Sequence, residues 1–180
     1  MRLAVAATPQ VAIPTLEFLL TGGHSLVKVF TTGDKPVGRG RTLTPSDVAL
    51  WAQRNEIECI KIDKASEMTD SLDGIDCVVT IAFGILVPQE ILDIPAHGFI
   101  NLHFSELPRW RGAAPVQRAI EHGDTHLGIT VFALDAGMDT GRIIAQKKIE
   151  RNIKGKEKTE VERLVHEVEH KLYVEVLKGM

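Results

Sequence analysis

An amide and an imidazole lie two residues apart in Asn101-Leu102-His103, near the end of a predicted strand. Side chains at i and i+2 of a strand project from the same face, so Asn101 and His103 can converge on one ligand atom. An amide donor beside an imidazole that donates when protonated suits the oxyanion of a tetrahedral intermediate, as acyl transfer requires. A nearby carboxylate would orient the imidazole and favour its cationic form. Asp139, in a glycine-rich loop after a later strand, is the candidate.

The spacing alone leaves a plainer interpretation open, because an Asn-x-His pair in a strand also serves ordinary packing and hydrogen bonding. A second histidine pattern, His166 and His170 at helical spacing, lacks the glutamate of an H-E-x-x-H metal site and indicates a solvated helix face. Cys59 and Cys77 have no CxxC spacing, so the sequence predicts neither a metal centre nor a disulfide framework.

Alternating strand and helix patterns must position these residues. Leu3 to Ala7, Val11 to Leu20 and Leu26 to Thr32 predict a βαβ unit with parallel strands, and the almost continuously apolar segment Asp76 to Phe83 predicts a central strand buried on both faces. Further predicted strands are 58–62, 98–104, 129–134 and 142–150, and further helices are 44–55, 66–72 and 113–122. Gly33 to Thr44 predicts a loop. The pattern predicts an α/β fold with a doubly wound, mostly parallel, Rossmann-like sheet.

The length and composition predict one globular domain. With 180 residues, 44% of them hydrophobic and 25% charged, the chain is expected to form a single domain over 1–180. Its core covers about 1–150, and a charged linker and an amphipathic closing helix occupy 151–180.

The same composition restricts the partners and the location. The longest apolar run, Cys77 to Pro88, is shorter than the ~18 residues that a membrane helix needs, and the apolar N-terminal stretch is too short for a signal peptide. We therefore expect a cytoplasmic protein with no membrane partner. The net charge of −3 argues against nonspecific nucleic-acid binding over the whole surface.

Ligands of an open parallel sheet bind at the carboxyl ends of its strands. Three predicted loops fall there, at 83–88, 101–115 and 135–141. The first strand is followed by Ala6-Ala7-Thr8-Pro9 in place of a G-x-G-x-x-G fingerprint, and no P-loop pattern occurs. A dinucleotide enzyme is therefore not expected.

Three motifs together are similar to the 10-formyltetrahydrofolate-dependent formyltransferases: NLHFSELPRWRGAAP at 101–115, GITV at 128–131 and DAGMDTG at 135–141. Within that family, DKPVGRGRTLTPS at 34–46 and RGAAPVQRAI at 111–120 resemble the members that formylate methionyl-tRNA. Members that formylate glycinamide ribonucleotide or sugar nucleotides share the Asn, the His and the Asp but not the basic glycine-rich loop.

The resemblance implies transfer of a formyl group from the co-substrate 10-formyltetrahydrofolate to the amino group of methionyl-tRNA, with charged initiator tRNA as partner and no metal. The implied catalytic residues are Asn101, His103 and Asp139. The implied folate-binding residues are Phe83, Gly84, Ile85, Leu86, Val87, Pro88, Ser105, Leu107, Pro108 and Asp135. The implied acceptor-binding residues are Lys35, Arg39, Arg41, Arg109 and Arg111.

The chain departs from that family's pattern at Ala7, Phe83 and Glu106, where members usually have Gly, Tyr and Leu. The second, barrel-like domain of the methionyl-tRNA-formylating members is expected to be absent, and the helix at 161–173 looks more like that of the glycinamide ribonucleotide formyltransferases. Two alternatives therefore stay open. One is formylation of a small amine, such as glycinamide ribonucleotide or an amino-sugar nucleotide, and the other is a noncatalytic folate-binding remnant.

Overall fold

The chain forms two compact units, Met1–Phe99 and Ile100–Met180. A computed structural model describes residues 1–38 and 41–180, without the side chains of Val37 and His170. The strands are β1 (Arg2–Ala7), β2 (Ser25–Thr32), β3 (Lys35–Val37), β4 (Thr42–Thr44), β5 (Glu58–Ile62), β6 (Cys77–Ile81), β7 (Phe99–His103), β8 (Gly128–Ala133) and β9 (Ile143–Lys148). The helices are α1 (Ile13–Thr21), α2 (Asp47–Arg54), α3 (Gln89–Leu92), α4 (Pro115–His122) and α5 (Lys158–Gly179), with 3₁₀ turns at Gln10–Ala12 and Ala65–Ser71.

The first unit contains the parallel strands. β1 pairs in parallel with β2 on one side and with β6 on the other, and β5 pairs in parallel with β2. All five residues of β6 are buried, as are five of the six in β1. The predicted βαβ unit and the predicted buried central strand are confirmed, because only strands covered on both faces are apolar at every position.

The basic segment 33–44 contains two short strands, so the prediction of a loop is wrong at both of its ends. β3 and β4 form an antiparallel hairpin, with Lys35 opposite Thr44 and Val37 opposite Thr42. β-Branched residues on both sides of a glycine-rich turn favour such a hairpin, although the segment has no hydrophobic period.

In the second unit β8 runs antiparallel to both β7 and β9. His103 at the end of β7 lies opposite Thr130, and Thr130 lies opposite Gln146 of β9. The predicted closing helix is α5, which packs on β8, β9 and α4. Its buried face includes Val161, Val165, Leu172, Tyr173 and Leu177.

The prediction of an α/β, doubly wound, mostly parallel fold is confirmed. Four strands of the first unit run parallel, and β8 is the strand of the second unit that runs against its neighbours.

Within 1–38 and 41–180, no helix combines the length and the apolar character needed to cross a membrane.

Candidate functional site

The second unit places the predicted imidazole and carboxylate side by side. His103, the last residue of β7, is 7% exposed, and its Nδ1 lies 3.5 Å from Oδ2 of Asp139. Asn101 is half-buried and lies two residues earlier in β7, so strand alternation puts its side chain on the same face as that of His103. Both residues thus lie in one strand, and the convergence of their side chains on one ligand atom stays a prediction.

A second contact holds the carboxylate of Asp139. Its Oδ2 accepts a 2.7 Å hydrogen bond from the backbone N–H of Gly112. The backbone of Asp139 has a φ of +53°, a left-handed conformation in which Asp is among the residues tolerated best. The carboxylate is thus fixed by a backbone donor in addition to its contact with His103.

The loop that carries Asp139 reaches His103 by a path that the sequence did not predict. Because β8 is antiparallel to β7, its last residue, Ala133, lies opposite Ile100, three residues before His103. The loop must therefore run back roughly 10 Å along β7. The argument from carboxyl ends of parallel strands does not apply to Asp139, although the predicted proximity is correct.

Asp135 and two glycines shape this loop. Oδ1 of Asp135 accepts hydrogen bonds from Gly137 N (2.9 Å) and Thr140 Oγ1 (2.7 Å). A side chain at Gly141 would overlap the carbonyl of Ala133, so only glycine fits where the two ends of the loop meet. Asp135, predicted to bind folate, thus has one oxygen committed to the loop itself.

The segment 104–114, between β7 and α4, covers the imidazole. Nε2 of His103 makes a 2.7 Å hydrogen bond with the carbonyl oxygen of Trp110. A carbonyl oxygen only accepts, so Nε2 carries the hydrogen in this contact. Trp110, Gly112 and Ala114 all have positive φ, between +53° and +82°. Both ring nitrogens of His103 therefore face acceptors of the protein itself.

Three predicted folate-binding residues lie in the first half of segment 104–114. Ser105 is buried and donates from Oγ to the carbonyl of Arg109, and the buried Leu107 donates from its backbone N–H to Thr130 Oγ1 at 3.1 Å. Pro108 is exposed. In this structure Ser105 and Leu107 hold the segment together.

The two arginines predicted to bind the acceptor have different surroundings. Arg109 pairs with Asp124 (2.5 Å), and its guanidinium lies 4.9 Å from the centre of the Trp110 ring. Although burial raises the pKa of Asp124, hydrogen bonds from Trp110 and His122 and the charge of Arg109 lower it overall. Arg111 is exposed.

The remaining predicted residues belong to the first unit. Segment 83–88 follows β6; within it Phe83 and Val87 are buried, whereas Leu86 is 82% exposed. Gly84 has a φ of +76°, which favours glycine. Ile85 and Pro88 complete the segment, and Pro88 directly precedes α3.

Most of the described side chains of the basic hairpin are exposed to solvent. Lys35 lines a cavity of about 300 Å³ together with Thr8 and Thr32, and Arg41 is exposed with a φ of +49°. Arg39 lies outside the described residues.

Across the described part of the chain, no group of three or more His, Cys, Asp or Glu side chains is arranged to hold a metal ion.

Three groups near the imidazole were missed by the sequence analysis. Two are backbone groups, the carbonyl of Trp110 and the N–H of Gly112, and backbone groups carry no signature in a sequence. The third is Arg118, which donates from Nη2 to that same carbonyl at 2.7 Å. The sequence did contain a signal for Arg118. The helix dipole disfavours a cation near the N-terminus of α4, so an arginine at that place indicates a role outside the helix.

A comparison with family models gives the class of protein to which this fold and site belong. The family model described as "Formyl transferase" matches residues 1–177, and the chain belongs to that family.

Curated relatives carry the name methionyl-tRNA formyltransferase. The chain is 48% identical over 147 residues to the one from Salinispora tropica, an alignment that covers 79% of this chain and 48% of the relative. It is 43% identical over 162 residues to the one from Sphingopyxis alaskensis, covering 86% of this chain and 53% of the relative. The chain thus spans about half the length of these relatives.

Solved structures with a similar fold carry another name. Phosphoribosylglycinamide formyltransferase from Bacillus halodurans superposes with a TM-score of 0.82 at 25% identity, covering 98% of this chain and 93% of that one. Glycinamide ribonucleotide transformylase 1 from Geobacillus kaustophilus superposes with a TM-score of 0.81 at 27% identity, covering 98% and 96%.

Proposed function

We propose that this chain is a catalytic domain that transfers a formyl group from 10-formyltetrahydrofolate to the amino group of methionyl-tRNA. Membership of the formyl transferase family and identities of 43–48% to methionyl-tRNA formyltransferases support the reaction and the acceptor. The observation that carries the proposal is the placement of Asp139 Oδ2 at 3.5 Å from His103 Nδ1, on a strand that also presents Asn101.

In the proposed mechanism the acceptor amine attacks the formyl carbon, and the formyl oxygen gains negative charge. The side-chain amide of Asn101 and the Nε2–H of His103 donate hydrogen bonds to that oxygen, where preorganised donors are most effective. Asp139 orients the imidazole from the Nδ1 side and, through a water molecule, accepts the proton that the amine loses. The C–N10 bond then breaks, N10 takes up a proton, and tetrahydrofolate leaves.

The oxygen of the formyl group must replace an acceptor that already occupies its position. Nε2 of His103 donates to the carbonyl of Trp110, so substrate binding has to exchange one carbonyl oxygen for another. Because both partners are carbonyl-type acceptors, the exchange leaves the number of hydrogen bonds at Nε2 unchanged. In this step the imidazole turns from the carbonyl of Trp110 to the formyl oxygen.

The binding residues are assigned on the family resemblance. We assign folate binding to the loop Phe83, Gly84, Ile85, Leu86, Val87 and Pro88, and to Ser105, Leu107, Pro108 and Asp135. We assign contacts with the phosphates of charged initiator tRNA to Lys35, Arg39, Arg41, Arg109 and Arg111. The exposure of Lys35, Arg41 and Arg111 supports this assignment.

A second acceptor is favoured by the names of two solved structures with a similar fold, which are glycinamide ribonucleotide formyltransferases at 25% and 27% identity to this chain. Formylation of a small amine such as glycinamide ribonucleotide, or of an amino-sugar nucleotide, would use the same Asn101, His103 and Asp139.

A transfer assay with both acceptors decides between these functions. The protein is incubated with 10-formyltetrahydrofolate and either charged initiator tRNA or glycinamide ribonucleotide, with the His103→Ala variant as the control for background transfer. We expect formyl methionyl-tRNA as the product. Formylation of glycinamide ribonucleotide alone would favour the second acceptor. Transfer to neither, with 10-formyltetrahydrofolate still bound, would indicate a noncatalytic folate-binding protein.

A further inference from the structure

Segment 104–114 is anchored at its beginning by two strands of the second unit. Thr130 of β8 donates from Oγ1 to the carbonyl of Ser105 (2.6 Å) and accepts from the N–H of Leu107 (3.1 Å). Gln146 of β9 donates to the carbonyl of Leu107 (2.7 Å) and to Thr130 Oγ1 (3.0 Å). Residues 105–107 are therefore fixed to the sheet, and the rest of the segment is held by other contacts, among them those of the Arg109 guanidinium and the Trp110 indole N–H with Asp124.

Arg118 of α4 holds the backbone of this part of the segment. Its Nη2 donates to the carbonyl of Trp110 at 2.7 Å and to the carbonyl of Arg111 at 2.5 Å, and its guanidinium lies 5.6 Å from the centre of the Trp110 ring. A charged donor makes stronger hydrogen bonds to a carbonyl than a neutral donor does. The guanidinium thus holds two consecutive carbonyl groups of the segment from the side of the helix.

The carbonyls held by Arg118 lie at or next to the backbone groups that contact His103 and Asp139. The carbonyl of Trp110 is itself the partner of His103 Nε2, and the next residue but one, Gly112, donates to Asp139. Trp110, Gly112 and Ala114 have positive φ, a conformation that non-glycine residues adopt only when neighbouring contacts impose it. Arg118 therefore contacts the same stretch of backbone that contacts His103 and Asp139.

We propose that Arg118 is a positioning residue for formyl transfer, which sets the place of the Trp110 carbonyl and the Gly112 N–H against His103 and Asp139. The proposal rests on the proposed function. A carbonyl oxygen accepts two hydrogen bonds, and in this structure Arg118 and His103 supply both donors to Trp110. When His103 turns to the formyl oxygen, the Trp110 carbonyl keeps its bond to Arg118. The release of Nε2 then leaves no buried acceptor without a partner.

The test compares Arg118→Gln and Arg118→Lys with the parent. Glutamine removes the charge and the two-carbonyl contact, whereas lysine keeps the charge as a single donor centre. With rates normalised to the folded fraction, we expect kcat to fall about 100-fold in Arg118→Gln, as displacements of about 1 Å in an active site produce. The KM values for folate and acceptor should change less than about threefold, and Arg118→Lys should recover part of kcat.

Glu121→Gln on the same helix is the matched control. Glu121 is exposed, and within the described residues its side chain accepts a hydrogen bond from Gln117 alone, so its substitution should leave kcat unchanged. A double variant of Arg118→Gln with His103→Ala separates positioning from a general loss of structure. If Arg118 acts through His103, Arg118→Gln should lower the residual rate of His103→Ala less than about threefold.

Acrylamide quenching of tryptophan fluorescence gives a readout that does not need activity. Trp51 is 1% exposed, so quenching reports mainly on Trp110, and it should increase in Arg118→Gln but not in Glu121→Gln. If the parent formylates no acceptor, the proposed function fails. The quenching measurement still tests whether Arg118 holds segment 104–114 in place. A parental kcat in Arg118→Gln, a full 100-fold loss in the His103→Ala background, or unchanged quenching would each overturn the proposal. If Arg118→Gln does not fold, an unimpaired Arg118→Lys would overturn it.

Discussion

Oδ2 of Asp139 lies 3.5 Å from Nδ1 of His103, and both side chains are largely buried, with exposed fractions of 15% and 8%. Charges interact more strongly in such surroundings than in water, because the effective dielectric constant is lower. The hydrogen bond from Gly112 fixes the carboxylate in addition. The Asp139 carboxylate is therefore placed to orient the His103 imidazole. A surface ion pair, by contrast, contributes little to the free energy of folding.

Asp139→Asn should suppress formyl transfer by ~10²–10³-fold, because it removes the negative charge beside the imidazole. The amide oxygen of asparagine still accepts from Gly112, so the loop should keep its position. Single-turnover formylation and the melting temperature measure the two effects. Asp70→Asn, an exposed change in the first unit, is the control and should leave both unchanged. A transfer rate in Asp139→Asn close to that of the parent would contradict the role of the carboxylate.

Thr130→Val should destabilise the protein by about 1–3 kcal/mol, since it leaves the buried groups of Ser105 and Leu107 without their partner. Thr15→Val is the matched control. Thr15 is equally buried, but its hydroxyl has no hydrogen-bond partner within the described residues, so valine should be neutral or stabilising there. Urea unfolding at equilibrium measures both changes. Equal destabilisation by the two substitutions would contradict this account.

Periodicity and composition were sufficient to predict the strands and helices that carry the site. The apolar run at 76–83 predicted β6, and 98–104 predicted β7 to within one residue at each end. Such segments are predictable because burial requires apolar residues at regular intervals. The hairpin at 35–44 was missed, because strands of three residues are too short for a hydrophobic period.

The chemistry of the site was predictable only in its side chains. Residue type and spacing made Asn101, His103 and Asp139 candidates, the family resemblance implied their catalytic roles, and the structure places His103 beside Asp139. The contacts from Trp110 and Gly112 come from the backbone, whose position depends on the fold of segment 104–114 and not on the residue types. The antiparallel direction of β8 was likewise not visible in its composition.

The stability of the second unit should depend on the protonation of His166. A hydrogen bond to the buried carboxylate of Glu169 raises the pKa of His166 above its ordinary value. A raised pKa means that the protonated ring stabilises the folded state below pH ~6.5, and that this stabilisation is lost as the pH rises through the folded-state pKa. The melting-temperature difference between the parent and His166→Gln should therefore shrink from pH 6 to pH 8.5. The exposed His97→Gln is the control, and a difference that grows with pH would contradict the assignment.

The thiols should be unreactive in the folded protein. Burial, together with the charge of Asp76, raises the pKa of Cys77 to about 12, and burial raises that of Cys59. The thiolate fraction of Cys77 at pH 8 is then on the order of 10⁻⁴. Iodoacetamide should label Cys77 only after denaturation, and a Cys59→Ala/Cys77→Ala variant should keep its transfer activity. Rapid labelling of the native protein at Cys77 would show that the thiol is accessible.

The basic hairpin should contribute one phosphate contact for each cation that touches tRNA. Arg39→Ala should raise the KM for charged tRNA, leave folate binding unchanged, and reduce the slope of log K against log salt by roughly one contact. Lys35→Ala should act in the same direction, because Lys35 is exposed on β3.

The tRNA affinity of each variant is divided by that of the parent at each salt concentration. The ratio shows the effect of the substitution whatever the absolute affinity for tRNA. Lys171→Ala, an exposed substitution on α5, controls for the loss of one positive charge anywhere on the protein. A specific phosphate contact changes the slope, whereas a change of net charge alone affects Lys171→Ala and Arg39→Ala equally. If the acceptor is a small amine, Arg39→Ala should be nearly silent. A fully active variant with an unchanged salt dependence would therefore favour glycinamide ribonucleotide as the acceptor over methionyl-tRNA.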